Sequence, residues 1–332
     1  MSNDTRTPLG NRKPDPATAP DALTGRGRRT VHLGDLLFGG SAQASSLIIV
    51  VVVLIIGAFL LGNAWQPLLD NTANFFTSTT FDSSSRPPHF GVAALLWTTV
   101  LSSVIALLVA VPVAIGIALL LTQYVGGRVS RWIGFVIDLL AAVPSVIFGL
   151  WGIKVLGPAL QPVAHWMQAH LGWFPLFGST QVTSPGTVFT ASLVLALMIL
   201  PIITAVTRDV FAQTPREQIE AALALGATRW EVIRMAVLPY GRSGATAAAM
   251  LGLGRALGET IAVMLILSAS SFDVSVFSGG ETFASVIARN AAEFDTTYKA
   301  GIYISAGLVL FVLTFAVNAL ARVVAERGKA KS

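Results

Sequence analysis

The sequence predicts an all-α polytopic membrane protein, and three observations carry that reading. The 332 residues are 54% hydrophobic and only 12% charged, about half the charge of an ordinary soluble domain, with a mean hydropathy of +0.71. The apolar residues form long runs instead of recurring with a strand or amphipathic-helix period, so lipid is the expected solvent for most of the chain. The basic residues are dense in one connecting segment and sparse in the next, as loops on opposite sides of a bilayer are.

The elements follow in order. Residues 1–31 are polar, with Pro8, Pro14, Pro16 and Pro20 among five basic side chains from Arg12 to Arg29, and read as a disordered cytoplasmic tail. A cleaved signal peptide is not expected, because the first apolar run starts too late and is too long. Residues 32–46, with Leu33, Leu36, Leu37 and Phe38, form an amphipathic segment suited to the membrane interface. A six-span domain then covers 47–323, before a tail at 324–332. Its spans are expected at 47–65, within 92–124, and at 132–153, 188–207, 245–268 and 301–323. The run at 92–124 contains Pro112 and is too short for two spans and a turn, so it reads as one long, tilted or kinked helix. On the outer side, 158–170 is expected as a short helix lying on the surface. Trp166, Trp173 and Phe174 suit either an interfacial aromatic anchor or a docking surface for an external partner.

Orientation follows from the positive charges. With the N-terminus inside, seventeen of the 22 Lys and Arg fall on cytoplasmic segments and four on the outside: Arg86, Lys154, Arg289 and Lys299. The remaining one, Arg255, lies inside a span. The bias predicts two cytoplasmic termini and an even number of spans. It also accounts for the net charge of +5 without nucleic acid.

Several chemistries are excluded. The chain has no cysteine, so disulfides, zinc–thiolate sites, iron–sulfur clusters and thiol catalysis are out. His165 and His170 are five apart, which does not match a helical metal pair, and no metal site is expected. The chain has no G-x-x-x-x-G-K-[ST] loop, so it is not itself an ATPase. It also lacks a nucleophile–base constellation, and no enzymatic step is expected.

The loop 208–242 carries the strongest local signal. Thr214-Pro215-Arg216-Glu217 has the form of a capping box with proline at the first helical position. A helix is expected through Ile219, Ala222 and Leu225, ended by Gly226. Thr228-Arg229-Trp230-Glu231 repeats the capping pattern and starts a second helix, expected to stop before Pro239. Small Ala221, Ala222 and Ala224 beside Glu217 and Glu220 would let a partner approach closely, unless the loop merely caps the bundle.

Within the expected fifth span, Arg255 and Glu259 are four apart and should share a helix face. Charges at this depth need an interior or wet setting. They read either as a self-neutralising pair at a helix contact or as an anion site. Arginine offers a planar fork of donors to a tetrahedral oxyanion. Glu259 could accept the proton that an anion such as hydrogen phosphate still carries, which sulfate lacks. Gly254 and Gly258 add a small-xxx-small face for a second helix. Gly252 and Gly254 resemble a dinucleotide fingerprint only superficially, since the third glycine is misplaced and no strand precedes them. In the third span, Asp138 lies about two turns from the cytoplasmic end, and Pro144 frees backbone carbonyls near Ser145. These mark either a kink or part of a substrate path.

Glu220-Ala221-Ala222, Gly226, Ile233 and Leu238-Pro239 together resemble the EAA loop of ABC-importer permeases. The stretches 139–152 and 254–263 resemble the phosphate-specific branch. The ending 308–322, with Phe311, Thr314, Asn318 and Arg322, is closer to PstC than to its PstA sister. The resemblance covers about 33–323. It implies a type I ABC importer permease fold with cytoplasmic coupling helices in a bacterial plasma (inner) membrane. It implies Glu220, Ala221, Ala222, Gly226, Leu238 and Pro239 at the ATPase contact, and Arg255 and Glu259 on the phosphate path. The implied partners are a PstA-like permease, two PstB-like ATP-binding subunits and a PstS-like phosphate-binding protein. ATP and Mg would belong to the partner ATPase, with no cofactor in this chain, and transport would proceed by alternating access. Import of another oxyanion, sulfate or molybdate, is the competing reading.

Overall fold

The computed structural model describes residues 33–85, 87–178 and 184–329. The tail 1–31, Arg86 and the last three residues therefore lie outside the described residues. Contacts within the chain gather into two units, Met1–Leu54 and Ile55–Ser332. The described part of the first unit is helical, and its apolar side chains Leu47, Ile48 and Ile49 are exposed.

Almost every element is helical. Helix α1 spans Leu33–Asp70 without a break at 46, so the interfacial segment and the first span are one helix. A short antiparallel ribbon pairs β1, Phe81–Asp82, with β2, His89–Phe90. Helix α2, Ala93–Leu119, continues through a π-turn at Leu120–Tyr124, which bears out one long helix in that run. Then come α3 (Gly127–Ala141), α4 (Ser145–Trp151), a π-turn at Gly152–Leu156, and α5 (Gly157–Leu171). Helix α6 is Val188–Ala212. The loop beyond it holds α7 (Arg216–Ala224) and α8 (Arg229–Val232), which passes through a π-turn at Ile233–Val237 into α9, Leu238–Gly258. Short α10 (Ile261–Ile266) and α11 (Phe283–Arg289) precede α12, Thr297–Lys329.

Five helical stretches among the described residues are long and apolar enough to cross a membrane: Gln43–Asp70, Ala93–Tyr124, Ser145–Leu171, Val188–Ala212 and Thr297–Leu320. Two expected spans come out differently. The run at 132–153 is broken at Pro144, which lacks an N–H and pushes Val143 out of the helical region. Helix α3 stops at Ala141, and a new 27-residue helical stretch starts at Ser145 and runs to Leu171. It absorbs the segment expected as a separate surface helix at 158–170. The run at 245–268 is also divided, because Glu259 is extended (φ −68°, ψ 125°) and separates α9 from α10.

Helix α6 sits at the centre of the second unit. Against it α2 presents Ala106, Ala110 and Ala114, all fully buried and spaced every four residues. Such a small-residue ridge lets two helices approach until their backbones nearly touch. From α6, Ala191, Leu195, Ile199 and Ile203 fill the seam, and Gly252 of α9 fits under Ile203. Two buried hydroxyls of α6 are satisfied within the helix, Ser192 donating to Val188 O at 2.7 Å and Thr204 to Leu200 O at 2.8 Å, whereas the buried hydroxyls of Ser103 and Thr207 have no partner among the described residues. Gly149 of α4 lies so close to α10 that a Cβ there would come within 2.9 Å of the Ala262 Cα. At the end bearing the β-ribbon, Phe283 and Tyr303 pack with Val92 and Leu95, and Ser83 bonds the Tyr303 hydroxyl at 2.9 Å.

Candidate functional site

The 208–242 loop begins where α6 ends. Thr214 is buried, and its hydroxyl donates to Phe211 O at 2.9 Å. It therefore does not cap α7, whose cap position is Pro215 with no side-chain hydrogen bond. The first capping box does not form, because the buried hydroxyl closes the end of α6 instead. Gly226 follows α7 with φ +84°, the left-handed conformation that glycine adopts without a Cβ penalty. The second capping box forms fully: Thr228 N donates to Glu231 Oε2 at 2.7 Å, and Glu231 N donates to Thr228 Oγ1 at 3.4 Å. The backbone and hydroxyl of Thr228 favour the carboxylate, so the Glu231 pKa lies below the ordinary glutamate value, against a small opposing effect of desolvation.

The second helix does not stop before Pro239. The π-turn widens the backbone at Ile233–Val237, which accommodates the missing proline N–H and the ring's clash with the preceding turn. The second half of the loop, from Arg229, is thus continuous with α9. Glu220, Ala221 and Gly226 are exposed, Ala222 is half-buried, and Leu225 is 90% exposed next to the glycine hinge. Leu238 and Pro239 lie elsewhere, lining a cavity of about 480 Å³ with Val111, Ile115, Phe211 and Arg242.

Arg255 and Glu259 do not share a helix face, since α9 ends between them. Among the described residues no ion pair joins the two. Glu259 Oε1 instead accepts from Ala262 N at 3.4 Å, and Thr260 Oγ1 donates to the Gly258 carbonyl at 3.1 Å, so the break satisfies its own backbone. Arg255 is exposed and lines a cavity of about 520 Å³ with Ile202, Met250, Leu251, Gly254 and Asn318. A Cβ at Gly254 or Gly258 would meet nothing within 4 Å, so no described residue packs directly on that glycine face.

Asp138 is exposed on α3, and Ser145 is half-buried at the first position of α4. Neither lines the Arg255 cavity, and nor does Glu259, among its described residues. Sequence reasoning gave Asn318 no part in this site, because its partner residue lies 63 positions away, on another helix.

A second polar cluster was also not legible in the sequence. Arg289 Nε pairs with Glu281 Oε1 at 3.1 Å, while Nη2 donates to the carbonyls of Met264 and Leu267 at 3.2 and 3.0 Å. Arg289 therefore closes the end of α10. Burial raises the Glu281 pKa above the usual carboxylate value, and the Arg289 charge opposes that rise.

Comparison with known proteins gives a consistent answer. The family model for "Binding-protein-dependent transport system inner membrane component" matches residues 110–329. A Mycobacterium bovis protein named "Phosphate transport system permease protein PstC 2" is 55% identical over 316 residues, covering 94% of this chain and 97% of its own length. A Mycobacterium leprae protein named "Phosphate transport system permease protein PstC" is 56% identical over 317 residues, with the same coverage. One from Mesorhizobium japonicum with that name is 36% identical over 92% of this chain and 94% of its own. Among solved structures, an inward-facing MetNI methionine ABC transporter aligns at TM-score 0.51 and 15% identity, over 71% of this chain and 96% of that one. A bacterial ABC transporter involved in import of the acidic polysaccharide alginate also gives 0.51, at 18% identity, over 70% and 78%. The fold is that of an ABC-importer permease, and the chain belongs to the family of binding-protein-dependent transport system inner membrane components.

Proposed function

We propose that this chain is the PstC-type permease subunit of an ATP-driven phosphate importer in a bacterial plasma (inner) membrane, with both termini cytoplasmic. The observation that carries the reading is identity of 55–56%, over 94% of the chain, to relatives named as phosphate transport permeases. The partners are a PstA-like permease, two PstB-like ATPases holding ATP and Mg, and a PstS-like binding protein that delivers phosphate from outside. The chain itself is a transport component, not an enzyme.

Coupling runs through α7. Its exposed Glu220 and Ala221, half-buried Ala222 and Gly226 hinge offer a surface that an ATPase can grip, and the unbroken helical path from Arg229 to Gly258 transmits the pull toward Arg255. The substrate path uses Arg255 as a weak anion contact. In this reading Glu259 at the helix break, Ser145 at the start of α4 and Asp138 on α3 are further path residues, outside the Arg255 cavity. Binding must stay weak enough for release. The open Gly254 and Gly258 face is where the second permease subunit would close the path.

The test is uptake of labelled phosphate, sulfate and molybdate by vesicles holding the assembled complex. Phosphate should accumulate with ATP and the other two should not. Arg255→Ala should lower phosphate uptake by about tenfold or more, the effect of removing one charged hydrogen-bonding contact. Equal uptake of sulfate would favour a general oxyanion importer, and unchanged uptake by both Arg255→Ala and Glu259→Gln would remove these residues from the path.

A further inference from the structure

The part of α12 long and apolar enough to span a membrane, Thr297–Leu320, carries few polar side chains, and most have partners in the fold. Tyr298 bonds Asp70 at 3.1 Å, Lys299 pairs with Asp295 at 3.2 Å, and the Tyr303 hydroxyl bonds Ser83. Ser305 donates to Ile302 O at 2.6 Å and Thr314 to Phe311 O at 2.9 Å. Asn318 has no hydrogen bond to any described residue. The side chain is exposed, so the two donors and the acceptor of its carboxamide are open to a ligand.

Asn318 and Arg255 line the same cavity. The other described residues lining it, among them Ile202, Met250 and Leu251, bring no side-chain hydrogen-bonding group, and no carboxylate faces it. The cavity is therefore an apolar wall carrying one guanidinium and one carboxamide from two helices. Its donors outnumber its acceptors, and its charge is positive. A small oxyanion fits that balance, and one that still carries a proton fits it best, because the single side-chain acceptor is the amide oxygen.

We infer that Asn318 is a second anion-contacting residue of the transport path. Its Nδ2 donates to an oxyanion oxygen held by Arg255, and its Oδ1 accepts the proton of a protonated oxyanion such as hydrogen phosphate. This assigns to Asn318 the discrimination that the sequence suggested for Glu259, whose carboxylate is engaged at the start of α10. The inference rests on the reading of the Arg255 cavity as part of the phosphate path.

The test compares Asn318→Leu, Asn318→Gln and Asn318→Asp with the parent and Arg255→Ala. Equal amounts of assembled complex go into vesicles, and labelled inorganic phosphate moved per ATP hydrolysed is measured. Asn318→Leu should fall about tenfold or more, while Asn318→Gln, which keeps the amide, should stay within about threefold of the parent. Asn318→Asp should be as poor as Asn318→Leu, because its carboxylate, kept ionised by the neighbouring Arg255 guanidinium, repels the anion and neutralises the arginine. A residue that only packs helices would tolerate this isosteric change. Asn318→Leu within twofold of the parent, or Asn318→Asp equal to the parent, overturns the inference. If Arg255→Ala fails to transport while Asn318→Leu is normal, only the role of Asn318 falls. If Arg255→Ala transports normally, the cavity reading falls and takes this inference with it.

Discussion

Thr228 and Glu231 form a reciprocal latch at the start of α8, directly after the Gly226 hinge, and its strength depends on the ionised carboxylate. The Glu231 pKa is depressed in the folded chain. The latch therefore adds stability above the ordinary glutamate pKa and loses it as the pH falls through the lowered folded value. Amide exchange at Glu231 and Val232, corrected for intrinsic rates, should be flat from about pH 8 to 5 and rise only under stronger acid. In Glu231→Gln the response to acid should disappear. This pair was legible because a capping box is local: the chemistry lies within four residues. Thr214 has the same sequence pattern but spends its hydroxyl on Phe211 O, because tertiary burial decided where that side chain points. Arg255 and Glu259 fail for a related reason. Their spacing implies a shared face only while the helix continues, and the chain becomes extended at Glu259.

At the scale of elements, short α10 depends on its neighbours more than on its own six residues. Arg289 satisfies its last carbonyls, and Gly149 of α4 packs onto Ala262. Gly149→Val should lower the stability of the purified subunit by about 1–3 kcal/mol, because added volume must push two helix backbones apart. Thermal melting in detergent measures this, and a melting temperature equal to the parent's would show that the α4–α10 contact can relax freely. Runs of apolar residues revealed which segments are buried in lipid but not where each helix breaks. Pro144 and Pro239 show the limit. The first divides its run into α3 and α4, and the second is absorbed by a π-turn and leaves the helix continuous. The proline is the same in both, and the difference lies in whether the preceding turn can widen.

For the whole molecule, the composition and charge distribution were enough to read an all-α membrane protein, since both report the solvent rather than particular contacts, whereas the permease reading came from the family resemblance of the 208–242 loop. The Arg255–Asn318 cavity was not readable, because it requires knowing which helices are neighbours. The topology can be checked directly. The chain has no native cysteine, so single introduced cysteines report their own side alone. Ala224→Cys in α7 should react with an impermeant maleimide only from the cytoplasmic side, and Ser84→Cys near the β-ribbon only from outside. Both positions are exposed in the fold. Labelling of Ala224→Cys from outside and of Ser84→Cys from the cytoplasmic side would reverse the charge-based orientation and remove α7 from reach of an ATPase.

The central claim is that α7 and its glycine hinge couple this permease to ATP hydrolysis in a partner. Complexes carrying Glu220→Lys or Gly226→Pro should insert and assemble normally in vesicles, and their ATPase subunits should still hydrolyse ATP. The labelled phosphate moved per ATP should fall about tenfold or more in each, consistent with loss of one charged contact or of a conformation that only glycine tolerates well. Phosphate uptake per ATP equal to the parent's in both variants would contradict the account and leave the loop as a cap on the helix bundle.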